Sequence, residues 1–341
     1  MLQITRTPLI PIDNPYAVGY LQLNDQLWGV CASGSRGAGV AFPAEHPELA
    51  AEQKLSAANW GAQMFCQVDD TSYFSIQGFL PEYQCEGAHM VRVSKNGENW
   101  NVEKCFDMPF LHKIAIVDVL GHPWLIGATL SGPKDFKEDW SKPGEVVIAP
   151  VPEDPVSGKW EFRRLLYPMT KNHGFCKAKV AGRDVVYISA TEGTWMVLPP
   201  TAEGEDWQTK KVLDFEIGDL TVDPLTGDMA AVVGFHGDEF TFYQGLGTDD
   251  LKPVFSEPIK WGHTAWLGQV GGVPVVVAGE LFGKARILFY VDCGNGYQLI
   301  HEEENIGPFS VTPRQVDAST LELLCPARAA GCPIIYRLQK I

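Results

Sequence analysis

The sequence predicts an all-β chain folded as a seven-bladed β-propeller whose last blade is closed by the N-terminal strand, and three observations carry that prediction. Apolar runs of five to eight residues rich in Val and Ile, such as KIAIVDV, EVVIAPV, DVVYISA and VPVVVAG, alternate with Gly and Pro turn signals. A unit of strand, Gly-containing turn and apolar strand begins at His112, His173, Gly218 and His263, in steps of 61, 45 and 45 residues. Each unit continues into a third strand and a polar or aromatic fourth, and four strands per roughly 45 residues is the signature of a propeller blade.

The remaining elements follow in order. A first blade starts near residue 16 with AVGYLQL, QLWGVCA and AGVAFPA, followed by HPELAAEQKLSAANW, which reads as a helix of about three turns at most. A second starts near residue 60 with AQMFCQV, SYFSIQG, HMVRVSK and NWNVEKC. The step of 61 after His112 contains a fourteen-residue insertion, SGPKDFKEDWSKPG. The blade starting near 309 has only three strands, SVTPRQV, LELLCPA and PIIYRLQ, and residues 3–10 supply the missing outer one. That closure removes an exposed sheet edge. One propeller domain over residues 1–341 is expected, with blades starting near 16, 60, 112, 173, 218, 263 and 309.

Composition bounds the partners. With 42 acidic against 27 basic residues the formal charge is −15, which repels nucleic acid and anionic membrane surfaces alike. No signal-like apolar segment opens the chain and no run approaches about 18 apolar residues. The eight cysteines are scattered without a CxxC pair, as reduced thiols of a cytoplasmic protein would be. These exclusions leave a small molecule as the expected partner.

In a propeller, the loops opening each inner strand and those after each second strand converge on one mouth of the central channel. His112, His173 and His263 each stand six residues before the turn of their blade, so they should point toward one axis. Three imidazoles with a carboxylate, Glu192 or Glu280, suit a divalent metal ion such as Zn, with Mn, Mg or Ca as the other candidates. The same loops contribute Lys134, Asp135 and Trp140 from the insertion, His236 and Asp238 from FHGDEF, Lys284 from GELFGK, and Arg36 and Tyr83 from the first two blades. His46, His89, His122 and His301 read as surface residues, and Trp100, Trp160 and Trp207 as packing between blades.

The blade pattern is similar to the FG-GAP/VCBS class of propellers, with DVLGHP, KVAGRD, DPLTGD and QVGGVP as worn versions of its acidic turn. His112 with IAIVDV, the KDFKEDWSKPGEV insertion, His173-Gly174-Phe175, Phe235-His236-Gly237-Asp238 and Gly262-His263 resemble the propeller domain of the aldos-2-ulose dehydratases, over roughly residues 110–300. The resemblance implies a metal-containing propeller that eliminates water or an alcohol from a sugar derivative, and it alone adds an oligosaccharide to the expected partners. The expected function is therefore that of a carbohydrate-active lyase or dehydratase, working by metal-assisted β-elimination on a sugar or uronate. Such a reaction needs a base, for which His236 is the candidate, and an acid, Tyr83 or Lys134. Arg36, Asp135, Trp140, Asp238 and Lys284 are the expected substrate contacts. Two other readings stand beside it: a non-catalytic carbohydrate-binding or scaffold propeller, and a glycoside hydrolase pairing Glu192 with Glu280.

Overall fold

The computed structural model describes residues 2–35, 37–55, 61–79 and 85–341. Among them the strands form seven four-stranded antiparallel sheets arranged as propeller blades. The inner strands are Pro15–Leu23, Ala62–Asp69, Leu111–Val119, Gly174–Val180, Ile217–Asp223, Gly262–Val270 and Thr312–Asp317, in blades one to seven. In blade seven, Leu2–Pro8 pairs antiparallel with Cys332–Lys340, from Leu2 opposite Lys340 to Pro8 opposite Ile334. The expected closure by the N-terminal strand is present, and an Arg6–Glu303 ion pair ties that strand to blade six.

Strand alternation explains how the blades hold together. Successive side chains point to opposite faces, so a blade enclosed by two neighbours must be apolar on both faces of its central strands. In Arg183–Ala190, Val186 and Ile188 pack toward blade three while Val185 and Tyr187 pack toward blade five. One apolar cluster fills each interface between adjacent blades, the last joining blade seven to blade one through Leu324, Ile335, Val18 and Phe42. Trp28 meets Trp100, and Trp124 meets Trp207, across two of these interfaces. These are the packing roles expected of the recurring tryptophans.

One element differs from expectation. The segment read as a helix holds a single 3-10 turn, Pro47–Leu49, and then the short strand Ala51–Gln53. Ala51 lies opposite Ala41 and Gln53 opposite Gly39, completing the outer edge of blade one. Backbone pairing along that edge overrides a local helical preference of a few tenths of a kcal/mol per residue. Residues 56–60 of the same stretch lie outside the described residues. No helix among the described residues is long and apolar enough to cross a membrane.

The feature that shapes the site is a register irregularity where the inner strands open. Pairing shifts between Pro15 and Ala17, Ala62 and Phe65, Leu111 and Lys113, Ile217 and Asp219, and Gly262 and Thr264. A bulge leaves one residue out of the ladder and re-aims its side chain. The residues left out include Tyr16, His112, Gly218 and His263.

Candidate metal and substrate site

A cavity of about 320 Å³ occupies one mouth of the channel, and its walls come from all seven blades. The opening positions provide Tyr16, His112, His173, His263 and Phe309; loops after the second strands add Ser35, Phe79, Phe235, His236 and Arg328.

His173 and His263 are held alike. The Nδ1 of His173 bonds the carbonyl of Gly218, and the Nδ1 of His263 bonds the carbonyl of Phe309 at 2.8 Å. Each acceptor is the opening residue of the next blade. A carbonyl can only accept, so both rings carry their proton on Nδ1 and leave a lone pair on Nε2. His236 brings its Nε2 to 3.1 Å from that of His173. One candidate donor atom from each of His173, His236 and His263 lies within 4.8 Å of the others.

His236 reaches this place because blade five has no side chain at its own opening position. A Cβ on Gly218 would run into the carbonyl of Gly234 and sit 3.0 Å from the backbone nitrogen of His236. The Gly234–Gly237 loop thus occupies the space that a glycine leaves open, with His236 itself in the left-handed region at φ 47°. Trp261 stacks on the His236 ring at 3.8 Å and fixes its plane.

His112 stands beside this trio, its ring 4.6 Å from that of His173 and 4.8 Å from Phe79. Its Nδ1 is buried without a hydrogen-bond partner among the described residues. Burial, then neighbouring positive charge, holds His112 and His173 well below the ordinary imidazole value. The same causes bring His263 to about 4 and His236 to about 2. All four rings are neutral at pH 7 and available as lone-pair donors. Tyr16 lies edge-on to His263, ring centroids 6.3 Å apart, and burial pushes its phenol up, so it keeps its proton.

The glutamates expected as further ligands do other work. Glu192 accepts the Thr170 N–H at 2.8 Å and its hydroxyl at 2.6 Å, and Glu280 accepts the Lys260 N–H at 2.7 Å. Thr170 and Lys260 each stand three residues before a cavity histidine, His173 and His263. Each carboxylate therefore clamps the chain leading into a donor of its own blade. Glu280 is also paired with Arg286, Nε to Oε1 at 2.9 Å. Neither glutamate lines the cavity, whose described lining contains no carboxylate.

The other expected site residues are placed as follows. Asp238 accepts the Trp261 N–H at 2.9 Å and pairs with Lys260, so it holds the ring that stacks on His236. Lys134 lies 3.1 Å over the Trp140 ring and donates to the Lys137 carbonyl. Trp140 in turn packs edge-on against Phe235, a cavity wall, at 5.2 Å. The insertion thus buttresses the mouth through one ring, and Lys134 is spent inside it. Asp135 pairs with Lys142, and Lys284 with Glu304, both at the surface. Arg36 and Tyr83 lie outside the described residues.

Tyr16, Phe309, Trp261 and Arg328 were not singled out from the sequence. For the first two a signal existed, because they stand where the first and last blades were expected to start, in register with the histidines.

No protein-family description matches the chain, and no curated protein is similar to it in sequence. Solved structures are similar in fold. Virginiamycin B lyase from Staphylococcus aureus superposes with a TM-score of 0.61 at 12% identity, covering 100% of both chains. A chain of the Mitotic Checkpoint Complex matches at 0.55 and 8%, over 98% of this chain and 93% of that one. The Dos1 propeller matches at 0.53 and 12%, over 92% and 74%. What these proteins share with this chain is the fold.

Proposed function

We propose that the protein is a metal-dependent carbon–oxygen lyase acting on a sugar derivative, with His173, His236 and His263 holding the ion. The observation that carries the reading is the trio of neutral imidazoles, two of them locked through Nδ1 to backbone carbonyls so that Nε2 is free to ligate. Metal-binding histidines are held in this way by their other nitrogen. A tetrahedral ion with about 2.0–2.1 Å bonds to nitrogen needs donors about 3.3 Å apart, close to the 3.1 Å between His173 and His236. An all-nitrogen set favours a first-row transition ion such as Zn over Mg or Ca. Three protein ligands leave a position open for substrate.

The bound ion would supply Lewis-acid polarisation of a substrate oxygen. The chain supplies the rest. In this reading His112, neutral and with an unpartnered Nδ1, takes the α-proton, and the Tyr16 phenol returns one to the leaving oxygen. His236, expected as the base, joins the ligands in this reading. Phe79, Phe235, Trp261 and Phe309 offer faces for a sugar ring. The resemblance to the aldos-2-ulose dehydratases supports the reaction class. Paired-carboxylate hydrolysis finds no support in a described lining without carboxylates.

The test is elemental analysis of untagged protein, followed by an ultraviolet screen of 1,5-anhydrofructose, 3-keto sugars and uronic-acid oligosaccharides with added divalent metal. One ion per chain and a new conjugated chromophore are expected, both lost in H173A and H263A. Failure of any metal to co-purify or rebind overturns the metal centre. Sugar binding without a chromophore overturns the lyase and leaves a binding module.

A further inference from the structure

The charge distribution of the mouth says more about the substrate. Although the chain carries −15 overall, the cavity's described lining contains no acid and one permanently charged side chain, Arg328. Of the other described arginines, Arg6, Arg92, Arg163, Arg164, Arg286, Arg314 and Arg337 are ion-paired, and Arg183 donates to the Pro199 carbonyl. Arg328 has no ion pair or side-chain hydrogen bond among the described residues. It is exposed, with its guanidinium 5.4 Å over the Phe309 ring at the cavity rim. In the lining from the adjoining blade one, Ser35 accepts a hydrogen bond from Asn14 at 2.9 Å, which leaves its own hydroxyl proton to give.

We infer that the substrate carries a carboxylate, received by the Arg328 guanidinium at the rim with the Ser35 hydroxyl as a further donor, so that the natural ligand is a uronate rather than a neutral keto sugar. A planar fork of donors matches a carboxylate in two parallel hydrogen bonds. A single guanidinium without lysines beside it in the lining suits a monoanion better than a phosphate dianion. The cavity volume is at the small end of ligand clefts, roughly 300–1,000 Å³, so one ring is seated at a time.

The consequence for catalysis rests on the lyase reading. Pairing the carboxylate with Arg328 makes the proton on the adjacent carbon more acidic. That C–H bond breaks to the base, its electrons form the new C=C, the C–O bond at the β carbon breaks, and the leaving oxygen takes a proton from the acid. The step balances without an oxidant or reductant.

Calorimetry on the metal-loaded protein separates the two readings. The probes are glucuronate, its methyl ester and glucose 6-phosphate, with wild type, R328Q and R328K compared. The acid should bind at least tenfold tighter than the ester; R328Q should bring that ratio close to one, and R328K should keep part of it. Equal binding of acid and ester, no binding of either, a preference that survives R328Q, or tighter binding of the phosphate would each overturn the inference. An Arg328-dependent preference for the acid with no chromophore from any uronate leaves it standing while the lyase reading falls. A chromophore from a neutral 3-keto sugar alone, with glucuronate unbound, does the reverse.

Discussion

The mouth of the channel has two halves of opposite chemistry. Blades three to six contribute four imidazoles, neutral at pH 7, in a wall whose described lining otherwise holds Leu130, Phe235 and Trp261. Blades seven, one and two contribute Phe309, Arg328, Asn14, Tyr16, Ser35 and Phe79, where donors and positive charge prevail. Deeper in the channel the contrast is different again: Lys113 and Asp219, a base and an acid, line one cavity. Burial pushes the Asp219 carboxyl up to about 7 while Lys113 draws it back down. The interior sets an acid beside a base, whereas the imidazole half presents lone pairs with no electrophile of its own. That asymmetry is the ground on which we propose an ion for one half and the substrate for the other.

The sharpest way to break this division is to alter the donor-rich half and ask whether the ion notices. Tyr16→Phe keeps the ring that packs on Phe309 at 4.1 Å and removes only the hydroxyl. A positioned general acid contributes about 10²–10⁴-fold, so turnover should fall by at least about 100-fold with metal content unchanged. Elemental analysis beside the ultraviolet assay checks this. A loss of metal in Y16F would show that the halves are not separable, and unchanged turnover would remove Tyr16 from the chemistry.

How far the sequence reached follows the same line. Blade count, closure and three of the four cavity histidines were legible because they repeat at a fixed register, and a second strand enclosed by neighbouring blades has to read apolar on both faces. His236 was legible as a loop residue but not as a partner of His173 and His263. Its place depends on Gly218 having no side chain, a relation between two loops that periodicity does not express. Glu192 and Glu280 were recognised as recurring carboxylates, yet spacing alone does not distinguish a side chain that faces the channel from one that turns back to clamp Thr170 or Lys260. Arg328 escaped notice because only the missing carboxylate partner marks it.

The imidazole half is tested by filling the space that admits His236. Gly218→Ala places a methyl group against the Gly234 carbonyl and close to the backbone nitrogen of His236. Overpacking of this kind costs about 1–3 kcal/mol, and displacing one ligand by a fraction of an ångström should weaken the ion by about 10–100-fold, as loss of a ligand's support does. Metal titration should show the weakening while calorimetry with glucuronate shows little change in the Arg328-dependent preference. Equal weakening of both would argue that His236 serves the substrate and not the ion.

The smallest effect is expected at the insertion, which backs the mouth through the contact of Trp140 with Phe235. Asp139 organises this loop, accepting from the Ser141 hydroxyl at 2.6 Å, the Ser141 N–H at 3.0 Å and the Asp135 N–H at 3.1 Å. These bonds, the Ser141 hydroxyl first, hold the Asp139 carboxyl down at about 2, against an ordinary value of 3.8. A folded-state value below the unfolded one means that the unfolded chain binds the extra proton first. The contribution is therefore complete above pH 3.8 and lost as pH falls through about 2. Amide exchange at Asp135 and Ser141, corrected for intrinsic rates, should show protection that fades over this window in the wild type and is missing at every pH in D139A. Turnover at neutral pH should fall by less than tenfold, because a shifted Trp140 only loosens a ring that backs the cavity. A loss in D139A as large as that in Y16F would move the insertion from a buttress of the wall into the reacting half of the mouth.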